Sequence, residues 1–185
     1  MPRQVFTFDP TERFVAGTVG QPGERTFFLQ ARTGRRVVSV ALEKAQVALL
    51  ADRLDALLDE VVRTTGDRDI PGSAPADLDP LDTPVAEEFR VGAMSLGWDQ
   101  GSRRVVLEMH AQSSDEIQIA EIGDDSDEGY ADTVRVLLTG VQSRGFAARA
   151  RAVVAAGRPP CPFCALPLEA AGHICPRANG YRRRV

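Results

Sequence analysis

Hydrophobic and polar residues alternate along residues 4–42, which is the pattern of half-buried β-strands. Turn-forming residues interrupt the alternation at positions 20–23 and 33–34. The runs between these turns predict four strands, over residues 4–8, 13–19, 25–31 and 36–42. Because the connections are short, the last three strands are expected to pair as an antiparallel meander.

The period then changes to 3.6 residues and predicts an amphipathic helix over residues 43–65. Gly66 stands where a C-terminal cap is expected. The apolar positions recur at three- and four-residue intervals: Val47, Leu50, Leu54, Leu57 and Val61. Residues 67–87 carry four prolines and no periodicity. They therefore predict a linker or a long surface loop.

A second set of strands and a helix follows this loop. The motif F-x-x-G at residues 89–92 repeats the one at 14–17, and a turn is expected over 97–101. Residues 103–110 alternate, with an apolar face and a polar face: Val105, Leu107 and Met109 against Arg104, Glu108 and His110. A third strand is predicted over 133–139, and a helix over 141–156 that ends before Gly157.

With the three-stranded meander counted and the strand at residues 4–8 set aside, the order of elements is βββα twice, which predicts an α+β fold with an antiparallel sheet. Two halves of the same order are consistent with an internal duplication, whose halves would stack their sheets or join their edges around a pseudo-twofold axis. The predicted division is a first half, a linker, a second half and a tail: residues 1–66, 67–87, 88–157 and 158–185.

Composition indicates a soluble globular protein, since 43% of the residues are hydrophobic and 26% are charged. The net charge of −4 hides an asymmetry, because the chain from Gly140 onward carries eight arginines and one acid. Such a separation of charge indicates a surface that binds nucleic acid, a contact between acidic and basic surfaces within the chain or with a partner, or simply charged faces in solvent. The first residues do not have the pattern of a secretory signal, so we expect a cytoplasmic protein without a membrane partner.

The C-terminal tail holds all three cysteines and one of the two histidines. The spacing Cys161-x2-Cys164-x8-His173-x1-Cys175 supplies three thiolates and one imidazole, the ligand set of a tetrahedral zinc site. Four protein ligands leave no position for water or substrate, so we expect a structural Zn²⁺ in a zinc-ribbon-like module. The alternative is three reduced cysteines packed in a small tail, although so short a segment has almost no core and needs a cross-link, such as a metal ion, to stay folded.

Other candidate sites are weaker. The acidic segment 115–132 fails as an EF-hand, because a loop that begins at Asp124 has Arg135 where a bidentate Glu is needed. It is interpreted as a solvated loop, with docking on a basic surface, including the chain's own Arg-rich tail, as the alternative. His110 is interpreted as a lone surface histidine. The sequence has no phosphate-binding loop, nucleophile elbow or dinucleotide fingerprint.

Several segments resemble a known family: Val-Leu-Leu-Thr at 136–139, Phe-Ala-Ala-Arg-Ala at 146–150, Ala-Ala-Gly-Arg-Pro-Pro-Cys-Pro-Phe-Cys-Ala-Leu-Pro-Leu at 155–168 and Gly-His-Ile-Cys-Pro-Arg-Ala-Asn-Gly at 172–180. With them the chain is similar, over nearly its whole length, to the uncharacterised actinobacterial family of domain of unknown function 3090. The resemblance implies that Cys161, Cys164, His173 and Cys175 bind the metal. The resemblance also implies that genes for a histidine-phosphatase-like protein and a kinase-like protein lie beside the gene for this chain. It does not imply any particular reaction.

The functional expectation is a cytoplasmic zinc-binding protein that is not an enzyme and acts by binding a protein partner. The contact would use the acidic segment or the proline-rich one. One alternative is a nucleic-acid-binding protein that uses the Arg-rich C-terminus at residues 182–184. The other is a phosphate-ester enzyme, or an accessory subunit of one, in which acids of residues 115–132 hold Mg²⁺.

Overall fold

The computed structural model describes residues 3–21, 23–113, 121–125 and 130–157, together with Cys161, Phe163 and Cys175. The order of its elements is β1 (Val5–Phe8), β2 (Arg13–Val19), β3 (Thr26–Thr33), β4 (Arg36–Leu42), α1 (Lys44–Thr65), β5 (Glu87–Asp99), β6 (Arg104–Ala111), β7 (Thr133–Leu138) and α2 (Gly140–Ala155). The predicted α+β class and the order of strands and helices are thus confirmed. Neither helix is both long and apolar enough to cross a membrane within these ranges.

All seven strands form one sheet in the order β1-β7-β6-β5-β4-β3-β2. The two predicted meanders, β2-β3-β4 and β5-β6-β7, are antiparallel. The sheet as a whole is mixed, because β1 pairs with β7 in parallel and β4 pairs with β5 in parallel. The expectation of a purely antiparallel sheet is therefore wrong. Strand β5 also continues through Gly97 to Asp99, so the turn before β6 lies later than predicted.

The two halves of the chain lie head to tail within the sheet. The last strand of the first half pairs in parallel with the first strand of the second half. A twofold axis that runs along the strands of a curled sheet would preserve these directions, so the expected pseudo-twofold stays a prediction. The glycines of the two F-x-x-G motifs also differ, since Gly17 pairs regularly with Phe28 whereas Gly92 lies at a register shift between Val91 and Ala93. The duplication and the division into four parts stay predictions.

The connection between β1 and β2 forces the sheet to curl. These strands are the two edges of the sheet, and only residues 9–12 join them. Four residues span at most about 17–19 Å, whereas the edges of a flat seven-stranded sheet lie about 29 Å apart. The twist of about 20–25° between neighbours also accumulates to well over 100° across the sheet. Strands β1 and β2 run in the same direction when the strands are followed across the sheet. The accumulated twist turns one against the other, so a short turn can join the end of β1 to the start of β2.

The concave face of the sheet holds both helices and a single apolar core. Its centre on β6 is formed by Val105, Leu107 and Met109, which are fully buried, as the alternation predicts. Phe14 of β2 stacks on Phe146 of α2 with ring centroids 4.7 Å apart. Strands β7 and β2 lie near opposite edges of the sheet. Helix α2 follows β7 directly, so it contacts β2 only because the sheet curls around the helix.

Helix α1 has the bounds that the sequence predicts. Glu43 is its N-cap, and Gly66 ends it with a φ of 68°, in the left-handed region that glycine adopts at little cost. The core face differs from the prediction at one position, because Leu58 is fully buried while Leu57 is only partly buried. The remaining predicted positions are buried: Val47, Leu50, Leu54 and Val61.

Ion pairs join the two helices on a second face of α1. Arg144 and Arg151 of α2 bind three acids of α1, namely Asp52, Asp55 and Asp59. Arg144 Nη1 lies 2.6 Å from Asp55 Oδ1, and Arg151 Nη1 lies 2.6 Å from Asp55 Oδ2. Part of the basic excess after residue 140 is therefore neutralised by the acidic first half.

The segment between α1 and β5 contains no helix or strand, as its prolines predict, yet it packs closely on the body. Leu81 covers Gly17 of β2, where a Cβ would lie 2.6 Å from Leu81 Cγ. The Pro75 carbonyl lies over Gly145 of α2, where a Cβ would lie 2.9 Å from the oxygen. These glycines remove side chains at two of the places where the segment meets the body, so the loop is built into the fold.

Replacing Gly145 by alanine should lower the free energy of unfolding, although alanine is the better helix former. At an open position the change would stabilise the helix by about 1 kcal/mol. Here the new Cβ crowds the Pro75 carbonyl, and we expect a net loss of about 1–2 kcal/mol in urea unfolding. Val141→Ala, at an exposed position of the same helix, should stay within about 0.5 kcal/mol of the parent. A more stable Gly145→Ala variant would contradict the packing of this loop on α2.

Candidate functional site

Two of the four predicted metal ligands lie in the described part of the chain, and they lie together. Cys161 and Cys175 are both buried, with 4% and 5% of their surface exposed. Their sulfur atoms are 3.7 Å apart. Cys164 and His173 fall outside the described residues, and among the described ones no group of three or more ligand side chains comes together.

The distance between the two sulfurs discriminates between two kinds of cysteine pair. A disulfide requires a sulfur–sulfur distance of about 2.05 Å. Two thiolates on one tetrahedral zinc, each about 2.3 Å from the metal, stand about 3.8 Å apart. The observed separation rules out a disulfide and fits either two thiolates on one zinc ion or two reduced thiols in contact, so the residues present are compatible with zinc.

The proline-rich segment presents a single exposed leucine from an anchored loop. Leu78 is 88% exposed, and Asp77 and Asp79 stand on either side of it. Arg149 Nη1 donates to the carbonyl oxygen of Asp77 at 2.5 Å and to that of Asp79 at 2.7 Å, and Arg13 Nη2 donates to the carbonyl oxygen of Asp79 at 2.9 Å. The backbone on both sides of Leu78 is therefore fixed by two arginines.

Side-chain ion pairs reinforce this anchoring. Arg13 forms a two-pronged pair with Asp77, with Nε 2.7 Å from Oδ2 and Nη2 3.0 Å from Oδ1. This hydrogen bonding lowers the pKa of Asp77 and raises the pKa of Arg13. Further along the segment, Gln30 exchanges two hydrogen bonds with the backbone of Asp82. The loop is thus attached to β2 and β3 by charge-assisted and amide hydrogen bonds.

Arg13 and Arg32 line an open depression of about 580 Å³ beside the loop. Arg13 is engaged there by Asp77 and Asp82, and Arg32 by Asp82. Their positive charge is already matched by neighbouring carboxylates. The depression therefore offers a small anionic ligand little uncompensated charge.

The acidic segment 115–132 lies on the convex face of the sheet where the structure describes it. Arg3 Nη1 donates to the backbone oxygen of Asp124 at 2.9 Å. Asp125 Oδ1 lies 2.8 Å from Arg135 Nη2. In this part the segment is not simply solvated, because it docks on basic groups of its own chain. Those groups are Arg3 and Arg135, whereas the expected Arg-rich tail at residues 182–184 lies outside the described residues.

A buried charge cluster lies beneath this segment. Glu108 is fully buried on β6, directly opposite Arg135 on β7, whose Nε donates to Oε1 at 2.6 Å. The backbone N–H of Gly123 donates to the same oxygen at 3.0 Å. Glu108 Oε2 has no hydrogen-bond partner among the described residues. The polar face that the alternation predicts on β6 is therefore covered.

His110 is part of this cluster, so its interpretation as a surface histidine is wrong: only 3% of it is exposed. Nδ1 lies 3.0 Å from Thr133 Oγ1, and Nε2 lies 3.1 Å from Ser95 Oγ. The Thr133 hydroxyl donates its one hydrogen to the Ala131 oxygen, so it can only accept from Nδ1–H. Nε2 is then unprotonated and accepts the hydrogen of the Ser95 hydroxyl.

Burial is the largest cause that lowers the pKa of His110; Glu108 opposes it, and Arg3 and Arg135 reinforce it. A neutral imidazole that accepts from a serine is half of an acyl-transfer site, which also needs a carboxylate behind Nδ1. Here Thr133 stands behind Nδ1, and the carboxylate of Glu108 lies on the other side, with Oε2 3.8 Å from Nε2. The geometry is that of a polar cluster inside the fold.

Sequence reasoning missed the partners of these clusters. Ser95 and Arg135 attracted no interpretation, although Glu108 and Arg135 carry opposite charges in neighbouring predicted strands. Leu78 was missed as well, although a leucine between two aspartates in a proline-rich segment is a visible signal. No signal in the sequence pointed to Arg149, because its contacts depend on the curl of the sheet.

We expect His110 to make the protein less stable as the pH falls. Its folded pKa is below the unfolded value of about 6.5, so the unfolded chain binds the proton first, and the free energy of unfolding drops as the pH falls below this value. His110→Gln should flatten the decrease between pH 7 and 5 by up to about 1.4 kcal/mol per pH unit, measured by urea unfolding at each pH. Ser95→Ala, which keeps the imidazole, should retain the slope. Parallel curves for the parent and His110→Gln would contradict the assignment.

Comparison with known proteins confirms the family resemblance. The family described as "Protein of unknown function (DUF3090)" matches residues 6–175, a range that holds both helices and all four predicted metal ligands. No curated protein and no solved structure matches the chain. Because the family match covers most of its length, the chain belongs to this family of unknown function, DUF3090.

Proposed function

We propose that this protein is a non-enzymatic, zinc-binding protein that acts by binding a partner protein. In this proposal a structural Zn²⁺ staples the C-terminal tail, and the anchored loop around Leu78 provides the contact. The observation that carries the interaction is the 88% exposure of Leu78 on a backbone that two arginines fix. The protein is proposed to work in the cytoplasm.

The zinc part of the proposal rests on the two buried thiols 3.7 Å apart. Cys161, Cys164, His173 and Cys175 would hold the ion, which would supply a cross-link between distant parts of the tail. A shell filled by four protein ligands has no open position, so the ion would act in folding rather than in catalysis.

The interaction part rests on the cost of exposing a leucine on an ordered loop. Burying such a side chain contributes about 2 kcal/mol, and a loop that is already ordered loses little conformational entropy on binding. Asp77 is neutralised by arginine, whereas the exposed carboxylate of Asp79 is in no ion pair among the described residues. The partner that fits is a protein with an apolar pocket that has a basic rim.

Binding of nucleic acid through the basic C-terminal part is less favoured by the described contacts. Three of its eight arginines, Arg144, Arg149 and Arg151, are engaged by aspartates or backbone oxygens. The phosphate-ester alternative is also less favoured, because Asp125 of the acidic segment pairs with Arg135. A partner protein is therefore the proposal.

Purified protein should contain about one equivalent of zinc by elemental analysis. The two histidines of the chain provide a matched pair of variants. His173→Gln should lose most of the zinc and the protease resistance of the tail, because it removes one of four ligands. His110→Gln should keep the full equivalent. Folded parent protein without zinc, or equal zinc in both variants, would contradict the proposed site.

Leu78→Asp should weaken binding to the partner by roughly thirtyfold, the equivalent of the lost burial of one leucine. The partner is first identified by cross-linking to the parent protein in its native cell and is then purified for calorimetry. Val141→Asp, which changes another exposed apolar side chain, should bind like the parent. Equal affinity of the Leu78→Asp variant would contradict the proposed contact.

A further inference from the structure

Helix α1 has three distinct faces, and the described structure covers two of them. One face packs in the core, and the second, with Asp52, Asp55 and Asp59, binds the arginines of α2. The third face carries Leu49, Arg53, Ala56, Leu57 and Glu60. Because each residue turns the helix by about 100°, these five positions fall on one stripe, roughly 120° from each of the other faces.

The third face is apolar at its centre and open to solvent. Leu49 is 53% exposed. Together with Leu50 of α1 and with Met94 and Leu96 of β5, the stripe borders a groove of about 500 Å³. An apolar groove beside a protruding leucine is the usual form of a helix-binding surface.

The two charges on this face are placed symmetrically. Arg53 and Glu60 are seven residues apart, which is two turns or about 10 Å along the axis. Their midpoint lies between Ala56 and Leu57. Among the described residues Arg53 is in no ion pair, and Glu60 is paired only with Arg63 of its own helix.

This symmetry identifies a second copy of the chain as the occupant. When two α1 helices cross antiparallel on a twofold axis between residues 56 and 57, Arg53 of one copy faces Glu60 of the other, and the reverse pair forms at the same time. Ala56 lies at the crossing point, where its small side chain allows the usual interaxial distance of about 8–10 Å. Leu57 of each copy then packs beside the axis.

We propose that the protein forms a homodimer through the third face of α1, with reciprocal Arg53–Glu60 ion pairs around an apolar centre. The contact is independent of the Leu78 loop, since it uses other residues and a partner of identical sequence. The dimer would present two copies of that loop and raise the avidity of the chain for a partner with repeated sites.

Sedimentation equilibrium of the purified 185-residue chain tests this proposal. We expect a concentration-dependent dimer whose dissociation constant rises at least about tenfold in Arg53→Glu, because each like-charge contact then occurs twice. Glu60→Arg should have the same effect, and the double variant Arg53→Glu/Glu60→Arg should restore the parent's constant. Leu49→Asp should also weaken the dimer.

Two variants separate this proposal from the others. Arg68→Glu makes the same charge change at an exposed position off the stripe and should dimerise like the parent. Leu78→Asp should dimerise normally as well, even if it abolishes binding of a partner protein. A chain that stays monomeric up to about 200 µM would overturn the proposal. A dimer that Arg53→Glu does not weaken, or that the double variant does not restore, would overturn it too.

Discussion

The short connection between β1 and β2 is the constraint on which the rest of the fold depends. Because residues 9–12 must join opposite edges of a seven-stranded sheet, the sheet curls and its concave face closes around α2. The helix that follows β7 thereby reaches β2, and Phe146 stacks on Phe14. Arg149, on the same helix, then donates from Nε to the Ala16 oxygen at 2.6 Å. The anchoring of the Leu78 loop follows from this geometry, since Arg149 also holds the backbone of residues 77 and 79.

Local patterns predicted the elements of this fold well. The helix α1 and its glycine cap depend on residues that are close in sequence, and the same is true of the hairpins in both meanders. The pairings that failed are those with no local signal. The parallel contacts of β4 with β5 and of β1 with β7 join segments that are far apart in the chain. Alternation shows which residues share a face, but not which strand becomes the neighbour.

The candidate sites show the same limit. The zinc ligands were predicted from their spacing, since a metal site of this kind would be local, and two of the four predicted residues lie together in the structure. His110 was misplaced because alternation assigns a polar face to solvent by default. In the fold, that face is covered by the segment around Gly123, whose N–H binds Glu108. A polar residue on an amphipathic strand is solvated only if no distant segment crosses it.

The buried Glu108–Arg135 pair is best understood through register rather than stability. A buried ion pair loses much of its attraction to desolvation, so it contributes little net stability compared with apolar residues. The pair fixes the register of β7 against β6. A slip of β7 by one residue would turn the side chain of Arg135 towards the apolar core. A slip by two residues would leave Glu108 without an opposite charge. The apolar residues Leu107 and Val136, which also face each other, would tolerate the second slip. The charge pair thus specifies an alignment that the hydrophobic core alone would leave open.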